Sequence, residues 1–392
     1  MSDSLIEVLS SGGHACVLLE TTDDTTIVVR ISPTTDESET QAKMQHMLWK
    51  HFSPFVLDVR SYTTVSSIPD KYLDVLITDD ECDELINKWR LKGVYEYSIT
   101  KSEYARVGSL AEYQFRQDAN IIRTACFHVL CFLYLSEVKF GFTHNDLTAY
   151  NIVLGVIERN IVAQVIDFDY SAFHSQATLS VTRKDIGTRY ILPPEVLENP
   201  NKPSYIGAAD VWALGVSMLG CLLNNPDFLD DKPDEKIRAR IECLQFYLQK
   251  AKVPDALQDT HAEMQIYEAK IHAMDEVTLE FYKCILDTDP LQRIMGGNLY
   301  ELLKFSSYFE PIPHKDDILK QLVKNRLPDR KYVNTLSTSK AQLERAIAAK
   351  LVSGKMIACV QCKQREWPLY MCAQYGVVVC GEECQLQHRQ RN

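Results

Sequence analysis

A group of polar residues in an apolar stretch of the chain has the composition of a phosphoryl-transfer site. His144, Asp146 and Asn151 follow the pattern His-x-Asp-Leu-x-x-x-Asn, and sixteen residues after Asn151 the run Val165-Ile-Asp167 ends in a second carboxylate. Two carboxylates and an amide at the ends of neighbouring strands can divide the work: one Asp holds the attacking hydroxyl, and the other Asp and the Asn hold Mg²⁺. Because this transfer needs positioning and charge stabilisation more than covalent participation, a few oxygen ligands suffice.

Cysteines near the end of the chain form a second cluster that could do chemistry. Their order is Cys359-x₂-Cys362-x₉-Cys372-x₇-Cys380-x₃-Cys384, followed by His388. Two close pairs about twenty residues apart suit one tetrahedral Zn²⁺. We predict a structural Zn²⁺ site whose ligands are Cys359, Cys362, Cys380 and Cys384, with Cys372 or His388 as substitutes. Such a metal supplies stability that a small core cannot.

Hydrophobic periodicity predicts the elements that carry these side chains. Short apolar runs between turn residues are typical of strands, and they occur at Leu5–Leu9, Cys16–Leu19, Thr26–Ile31, Phe55–Val59, Leu73–Thr78 and Tyr95–Thr100. A helix is predicted over 36–50, and the acidic run Asp79–Glu84 is predicted to be a solvated insertion. Helical segments follow over 119–138, 205–223 and 235–252. Strands followed by helices predict an α+β fold with two unequal lobes.

The composition limits the classes of protein to which the chain can belong. It has 392 residues, of which 46% are hydrophobic and 24% charged, as in a globular protein. The net charge of −11 argues against nucleic acid as a partner and against docking on an anionic membrane. The apolar segment Ala125–Leu135 is too short for a membrane span. Because no secretory leader and no disulfide-type cysteine pattern is visible, we expect a cytoplasmic protein.

A series of short motifs, in one order along residues 5–310, resembles the protein kinase superfamily. Besides the two motifs above, they are Ser10-x-Gly12-x-x-Ala15-x-Val17, Val28-Val-Arg30, Ser102-Glu103-Tyr104-Ala105, Gly187-Thr188, Pro193-Pro194-Glu195, Asp210-Val-Trp212-x-Leu-Gly215 and Asp289-Pro-x-x-Arg293. The resemblance implies a two-lobed kinase fold, ATP and Mg²⁺ as cofactors, and a protein substrate. The run His144-Asn-Asp-Leu followed by a non-basic residue is similar to serine/threonine kinases of large DNA viruses, which would place the protein in host cytoplasm or in a virion.

The resemblance also assigns roles to residues of this chain. Asp146 would be the catalytic base that orients the substrate hydroxyl, and Asn151 and Asp167 would bind Mg²⁺. The nucleotide would be held by seven residues of the first lobe: Gly12, Gly13, Val17, Arg30, Glu39, Glu103 and Ala105. Three further residues would be structural, because Asp210 would accept backbone hydrogen bonds beneath the catalytic loop and Glu195 would pair with Arg293.

Within the nucleotide set, each part has its own expected function. The backbone of Gly12 and Gly13 would approach the phosphates, and Glu103 and Ala105 would offer main-chain groups to adenine. Arg30 stands where the family has a Lys. Its expected partner is Glu39 on the following helix, with Glu37 as the alternative.

The resemblance divides the chain into four segments. They are a kinase N-lobe over 1–105, a C-lobe over 106–312, a helical linker over 313–354 and a zinc-finger-like module over 355–392. The run Cys380-Gly-Glu-Glu-Cys384-Gln-Leu-Gln-His388 is similar to the second half of MYND- and HIT-type fingers, which implies a possible protein partner for this module.

Four departures from the family pattern bear on activity. Arg30 replaces Lys with a wider planar fork, and Thr148 stands where many protein kinases carry a Lys directed at the transferred phosphate. Asp169 replaces the Gly of Asp-Phe-Gly, and Asn145 replaces the Arg that often reads a loop phosphate. Thr148, together with Thr188 near the catalytic Asp, favours Ser or Thr as the acceptor.

Three functions fit these residues. The first is an ATP-dependent serine/threonine protein kinase, for which all three essential oxygen-bearing side chains are present. The second is a pseudokinase scaffold that binds nucleotide without turnover, suggested mainly by Arg30. The third is a small-molecule kinase of the aminoglycoside or choline type. The motif Ile-Asp167-Phe-Asp169 is compatible with this function, but the motifs that contain Glu195 and Arg293 argue against it.

Overall fold

The computed structural model describes residues 4–325, apart from short gaps, and two strands beyond them. The gaps are 13–14, 24, 36–37, 106, 113–117, 158–159, 174–179, 182–186, 199–203, 206, 231–232, 291 and 294–296, and the two later strands cover 370–372 and 377–379. The predicted Zn²⁺ ligands Cys359, Cys362, Cys380 and Cys384 lie outside the described residues, as do Gly13 and Glu37.

Strands dominate the first part of the described chain and helices the second. The strands are β1 (Leu5–Gly12), β2 (Ala15–Thr21), β3 (Thr26–Pro33), β4 (Val59–Val65), β5 (Tyr97–Glu103), β6 (Gly108–Ser109), β7 (Phe142–Thr143), β8 (Ile152–Ile157), β9 (Asn160–Val165), β10 (Ala172–Phe173), β11 (Ser180–Val181), β12 (Ser204–Tyr205), β13 (Tyr370–Cys372) and β14 (Val377–Val379). The helices are α1 (Ser38–Phe52), α2 (Asp70–Leu76), α3 (Asp80–Leu91), α4 (Ala119–Phe140), α5 (Pro194–Glu198), α6 (Ala208–Leu222), α7 (Asp234–Leu248), α8 (Gln258–His272), α9 (Glu276–Ile285), α10 (Gly297–Phe305) and α11 (Lys315–Asn325).

The chain divides into two compact units, of which the first combines residues 1–108 with 153–169. Its centre is a five-stranded antiparallel sheet in the order β1-β2-β3-β5-β4. The three predicted N-terminal strands are β1, β2 and β3, and alternating apolar side chains such as Leu18, Val29 and Ile31 form the core on one face of the sheet. In this register Val17 lies opposite Arg30, and Arg30 lies opposite Thr100.

Two helices inserted between β4 and β5 correct the prediction for this segment. The predicted strand Leu73–Thr78 is helical in α2 up to Leu76. The acidic run is largely exposed, as predicted, but it begins a helix, α3. The Asp79 side chain caps α3 by accepting a 2.9 Å hydrogen bond from the Cys82 N–H, and acidic residues suit the positive end of a helix. Cys82, Ile86 and Trp89 then fall on one buried face, which packs against the sheet.

The fourth predicted strand is displaced along the chain. The segment predicted as Phe55–Val59 has only an isolated bridge between Val56 and Val165, and the strand itself is Val59–Val65. Residues 55–57 of the apolar run are buried, whereas four of the seven residues of the strand are exposed. Burial of a short apolar run therefore does not identify its secondary structure.

The second unit, residues 109–152 and 170–392, is organised around α4 and α6. Asp118 caps the start of α4 by accepting hydrogen bonds from Asn120 and Ile121, and Gly141 ends it in the left-handed conformation at φ 60°. By length and composition alone, among the described residues only Ala119–Glu137 of α4 would suffice to cross a membrane, but 72% of it is buried inside the structure. Helix α4 is therefore a core helix of the second unit.

Candidate active site

The catalytic loop follows β7 and is held from below by one buried carboxylate. Asp210, in the first turn of α6, accepts hydrogen bonds from the backbone N–H groups of His144 at 2.7 Å and Asn145 at 2.8 Å. The resemblance implied that Asp210 accepts backbone hydrogen bonds here, and the structure identifies the two donors. A buried carboxylate requires such donors, and charge-assisted bonds to backbone N–H groups are strong. Asn145 has φ 67°, which Asn tolerates better than most residues, so the chain can turn at this point.

The Asp146 carboxylate has a fixed orientation because both of its oxygens accept hydrogen bonds. Oδ1 accepts from the Thr188 backbone N–H at 2.8 Å, and Oδ2 accepts from the Asn151 side-chain amide at 3.0 Å. The same Asn151 nitrogen also donates to the Asp146 backbone carbonyl at 2.8 Å. The structure therefore brings Asp146 and Asn151 together, as predicted. These bonds use the amide nitrogen of Asn151, whereas a hard divalent cation binds amide oxygen.

Thr148 and Gly187 both lie near Asp146 and shape its surroundings in different ways. The Thr148 side chain is buried, and its hydroxyl accepts a 3.3 Å hydrogen bond from the Asn151 backbone N–H. Where many protein kinases carry a positively charged Lys, this chain therefore has a neutral residue that caps the short 3₁₀ helix over Ala149–Asn151. Gly187 passes so close to Asp146 that a Cβ atom there would lie 2.3 Å from Asp146 Oδ1. Residue 187 must therefore be glycine for the Thr188 N–H to reach the carboxylate.

The first unit contains a second group of charges, centred on Arg30 of β3. Its guanidinium donates two hydrogen bonds to Asp169, from Nη1 to Oδ1 at 3.2 Å and from Nη2 to Oδ2 at 2.5 Å. Asp167, the predicted Mg²⁺ ligand, lies 3.9 Å from the same Nη2 atom. Burial lowers the pKa of Arg30, but the charge and hydrogen bonds of Asp169 and the charge of Asp167 outweigh it and raise that pKa above its ordinary value.

The prediction that Glu39 pairs with Arg30 is wrong. Glu39 forms a 2.7 Å salt bridge with Lys43 one turn further along α1, and its side chain is 60% exposed. The α1 side chain that reaches the Arg30 group is Gln41, whose amide donates a 3.2 Å hydrogen bond to the Asp169 backbone carbonyl. Residues two apart on a helix do not face the same way, so Glu39 cannot occupy the position of Gln41.

The other described residues predicted to hold nucleotide lie in or next to strands β1, β2 and β5 of the first unit. Gly12 ends β1 opposite Ala15, and Val17 is in β2. Glu103 ends β5, where its N–H donates to the Asp58 carbonyl at 3.1 Å. The Ala105 carbonyl accepts a 3.2 Å hydrogen bond from the Gly108 N–H. Their contact with a nucleotide stays a prediction.

A buried ion pair joins two distant parts of the second unit. Arg293, which is 0% exposed, donates to both carboxylate oxygens of Glu195 at 2.9 and 3.1 Å. It also donates to the carbonyls of Ala208 and Asp287, each at 3.0 Å, and its guanidinium lies 5.0 Å from the ring centre of Trp212. The predicted pair is present, and it ties α5 to the start of α6.

Comparison with protein families decides the classification. Residues 91–305, more than half of the chain, match the protein kinase domain family. The chain belongs to this family. The matched residues include the catalytic loop, Asp167, the Glu195–Arg293 pair and Asp210, whose geometry is described above.

Several curated serine/threonine kinases are similar to parts of this kinase. The ovarian-specific serine/threonine-protein kinase Lok of Drosophila melanogaster is 34% identical over 91 residues, which is 23% of this chain and 19% of Lok. A probable serine/threonine-protein kinase of Dictyostelium discoideum is 25% identical over 207 residues, 48% of this chain and 42% of that protein. Serine/threonine-protein kinase STE20 of Candida glabrata is 28% identical over 138 residues, 35% and 14% of the two chains. The kinase thus spans less than half the length of each of these relatives.

The family implies ATP and Mg²⁺, and the residues present suit them. Asn151 of the second unit and Asp167 of the first unit each carry an oxygen atom of the kind that Mg²⁺ prefers as a ligand. Among the residues the structure describes there is no group of three or more His, Cys, Asp or Glu that could hold a metal, as a Zn²⁺ site would require.

Three residues that matter in this site were not assigned a function from the sequence. The sequence identifies Asp169 only as a departure from the family pattern and Gly187 only as part of a motif, and it predicts nothing for Gln41. Asp169 carried a signal, because it replaces a Gly just as Arg30 replaces a Lys, and opposite charges at two departures suggest a pair. Gln41 carried none, because helical spacing does not tell which side chain of α1 reaches another element.

Proposed function

We propose that this kinase transfers the γ-phosphate of Mg²⁺-bound ATP to a Ser or Thr hydroxyl of a protein. The observation that carries the proposal is the fixed Asp146 carboxylate, with Thr188 on one oxygen and Asn151 on the other. Hydrogen bonds to both oxygens fix the orientation of this carboxylate, and each oxygen keeps a lone pair that can accept a hydrogen bond from a substrate hydroxyl.

The chemical step follows from these positions. The substrate oxygen forms a bond to the γ-phosphorus while the bond from that phosphorus to the β–γ bridging oxygen breaks, so that ADP leaves. Asp146 orients the hydroxyl and accepts its proton. Asn151 and Asp167 would hold the Mg²⁺, which neutralises charge on the phosphates, and Arg30 would add positive charge beside Asp167.

A protein substrate is supported by the elements around the loop. The Glu195–Arg293 pair stabilises the segment that follows Thr188, and Asp210 supports the catalytic loop from α6. The family match and the printed names of the relatives point to Ser or Thr acceptors. A pseudokinase remains the second candidate, because Asp169 already engages the Arg30 fork that would meet the phosphates.

A transfer assay separates these functions. Radiolabelled ATP would be incubated with Mg²⁺, a general protein substrate, and the parent chain or its Asp146→Ala and Asp167→Ala variants. We expect the parent and the control Asp259→Ala, which changes an exposed acid in the first turn of α8, to label protein, and the Asp146→Ala and Asp167→Ala variants not to. Equal labelling by all four proteins would exclude the catalytic proposal. Labelling of an added aminoglycoside or choline in place of protein would favour the small-molecule alternative.

We also propose that the end of the chain binds one structural Zn²⁺ and docks a protein partner. The support is the spacing of the cysteines at 359, 362, 380 and 384. Metal analysis of the purified full chain should give one zinc per chain, and Cys359→Ser with Cys380→Ser should remove it. A parent protein without zinc would refute the site.

We propose that the protein is located in the cytoplasm. For a viral protein, this would be the cytoplasm of the host cell or the virion. Its support is that seven cysteines in the described part of the chain are free thiols, six of them buried, as in a reducing compartment. Fractionation of cells that express a tagged chain tests the proposal. Recovery in the secreted fraction would contradict it.

A further inference from the structure

Arg30, Gln41 and Asp169 of the first unit are joined by hydrogen bonds into one group. Asp169 accepts two hydrogen bonds from Arg30, while its backbone carbonyl accepts one from Gln41. Arg30, Gln41 and Asp169 come from β3, from α1 and from the segment after β9, so the arrangement connects three elements. Each side chain is part-buried, and the pair of Arg30 with Asp169 has the two-point geometry that only a guanidinium can offer to a carboxylate.

Helix α1 supplies no described carboxylate to this group. Glu39 is engaged with Lys43 on an exposed face, and the side chain that does reach the group, Gln41, is a neutral amide. A part-buried cation without an acid would be costly, since desolvation disfavours its charge. Asp169 removes that cost.

The pair also affects the predicted Mg²⁺ ligand. Asp167 lies 3.9 Å from Nη2 of Arg30, the atom that donates the 2.5 Å hydrogen bond to Asp169. Two carboxylates therefore compete for one guanidinium, and Asp169 has the shorter contacts. If Asp169 lost its charge, Arg30 would pair with Asp167 and compete with Mg²⁺ for that carboxylate.

We propose that Asp169 is the positioning residue for Arg30, in the role that the resemblance gave to a carboxylate on α1, and that it limits the pairing of Arg30 with Asp167, the proposed Mg²⁺ ligand. The proposal rests on the proposed use of Mg²⁺ and ATP. It explains both departures from the family pattern, the Arg in place of Lys and the Asp in place of Gly, by one cause. The carboxylate of the ion pair is at residue 169 and not on α1, and the guanidinium of Arg30 can donate two hydrogen bonds to it.

The experiment measures nucleotide binding and its Mg²⁺ dependence, without phosphate transfer. A fluorescent ATP analogue would be titrated into the full chain at several Mg²⁺ concentrations. With Asp169→Asn, we expect the Mg²⁺ concentration for half-maximal binding to rise about fivefold, since a part-exposed ion pair of this kind contributes up to about 1 kcal/mol. Glu39→Gln is the matched comparison on α1 and should bind as the parent does, and Glu37→Gln is included because that residue was the alternative partner.

A rescue distinguishes positioning from a merely structural role. Asp169→Gly should weaken binding as Asp169→Asn does, and adding Gln41→Glu should recover most of it, because the acid returns to the α1 side chain that reaches the group. Thermal unfolding of each variant identifies any that does not fold, and Asp169→Asn, which keeps the shape of the side chain, then carries the result.

Several outcomes would overturn the proposal. They are unchanged Mg²⁺ dependence in Asp169→Asn, a loss in Glu39→Gln or Glu37→Gln as large as that in Asp169→Asn, and no recovery in the double variant. A parent that binds Mg²⁺ and nucleotide but labels no protein would defeat the proposed function and leave this inference standing. A parent that binds no nucleotide would defeat both.

Discussion

The backbone N–H of Thr188 donates a 2.8 Å hydrogen bond to Oδ1 of Asp146, across forty-two residues of chain. The segment that follows the loop after Asp167 thus helps to orient the catalytic carboxylate. The relationship depends on Gly187, because a side chain there would collide with the same oxygen.

Gly187→Ala tests this dependence. The added Cβ would lie 2.3 Å from Asp146 Oδ1, so the carboxylate or the Thr188 segment must shift. We expect kcat to fall about 100-fold, as displacements near 1 Å at a reacting group do, with little change in KM for ATP. Steady-state kinetics of phosphate transfer measure both constants.

Gly155→Ala is the matched control for that substitution. Its Cβ would lie 2.9 Å from Oε1 of Gln164, which is the far end of a flexible side chain and can move. Activity of Gly155→Ala should stay near that of the parent. If Gly187→Ala had the activity of the parent, Thr188 would not orient Asp146.

Glu195→Gln should destabilise the second unit. Arg293 is fully buried and would keep its charge but lose the carboxylate that balances it. The expected loss is about 3 kcal/mol in the free energy of unfolding, since removing one partner leaves a buried charge uncompensated. Denaturant unfolding of the purified variant measures the loss.

Glu263→Gln removes a salt bridge of similar length as a control. Its partner is Arg240 at 3.2 Å, but the Glu263 side chain is 51% exposed. Its cost should stay below about 1 kcal/mol because solvent screens exposed pairs. Equal losses for the two variants would show that burial of Arg293 does not matter.

Glu20→Gln should weaken the attachment of α2 to the sheet. The Glu20 carboxylate is buried and accepts hydrogen bonds from Lys71, from Lys101 at 3.1 Å and from the Tyr72 hydroxyl at 2.9 Å. Burial raises the pKa of Glu20, but these partners outweigh it and leave that pKa below its usual value of 4.5. The variant should lose about 2 kcal/mol at neutral pH.

The pH dependence of that loss follows from the lowered pKa. A carboxylate whose pKa is lower in the folded state stabilises it above the unfolded value, and this contribution disappears as the pH falls through the folded value. The difference between parent and Glu20→Gln in thermal unfolding should therefore shrink below pH 4.5. Glu280→Gln, which removes an exposed pair with Lys283 on α9, is the control and should cost less stability than Glu20→Gln at neutral pH.

Glu301 of α10 should have the opposite pH dependence. Burial raises its pKa to about 7, with Lys304 opposing the shift. A carboxyl with a raised folded pKa makes the folded state less stable as the pH rises from the unfolded value of 4.5 to about 7. Glu301→Gln cannot ionise, so its melting temperature should match the parent at pH 4.5 and exceed it at pH 8. A constant difference across that range would contradict the assignment.

Several parts of the fold could be predicted because local chemistry decides them. Strands β1 to β3 follow from alternating apolar residues between turns, and α4 from a long apolar stretch between Asp118 and Gly141, which cap it. The prediction failed at Leu73–Thr78, since a short apolar run is compatible with strand or helix. Packing against the sheet decided in favour of α2.

The candidate site divides in the same way. The residue types and spacing of Asp146, Asn151 and Asp167 determined which atoms can do the chemistry, because phosphoryl transfer needs those oxygen ligands whatever surrounds them. The family pattern supplied the pairing of Glu195 with Arg293.

The sequence by itself thus determined strands β1, β2, β3 and β5 and the core helix α4, since these depend on residue type and on neighbours along the chain. Only the tertiary structure decided which carboxylate meets Arg30. Asp169 is 139 residues away and Glu39 only nine, yet Asp169 forms the pair. An ion pair depends on where side chains point after the elements pack, and separation along the chain carries no information about that direction.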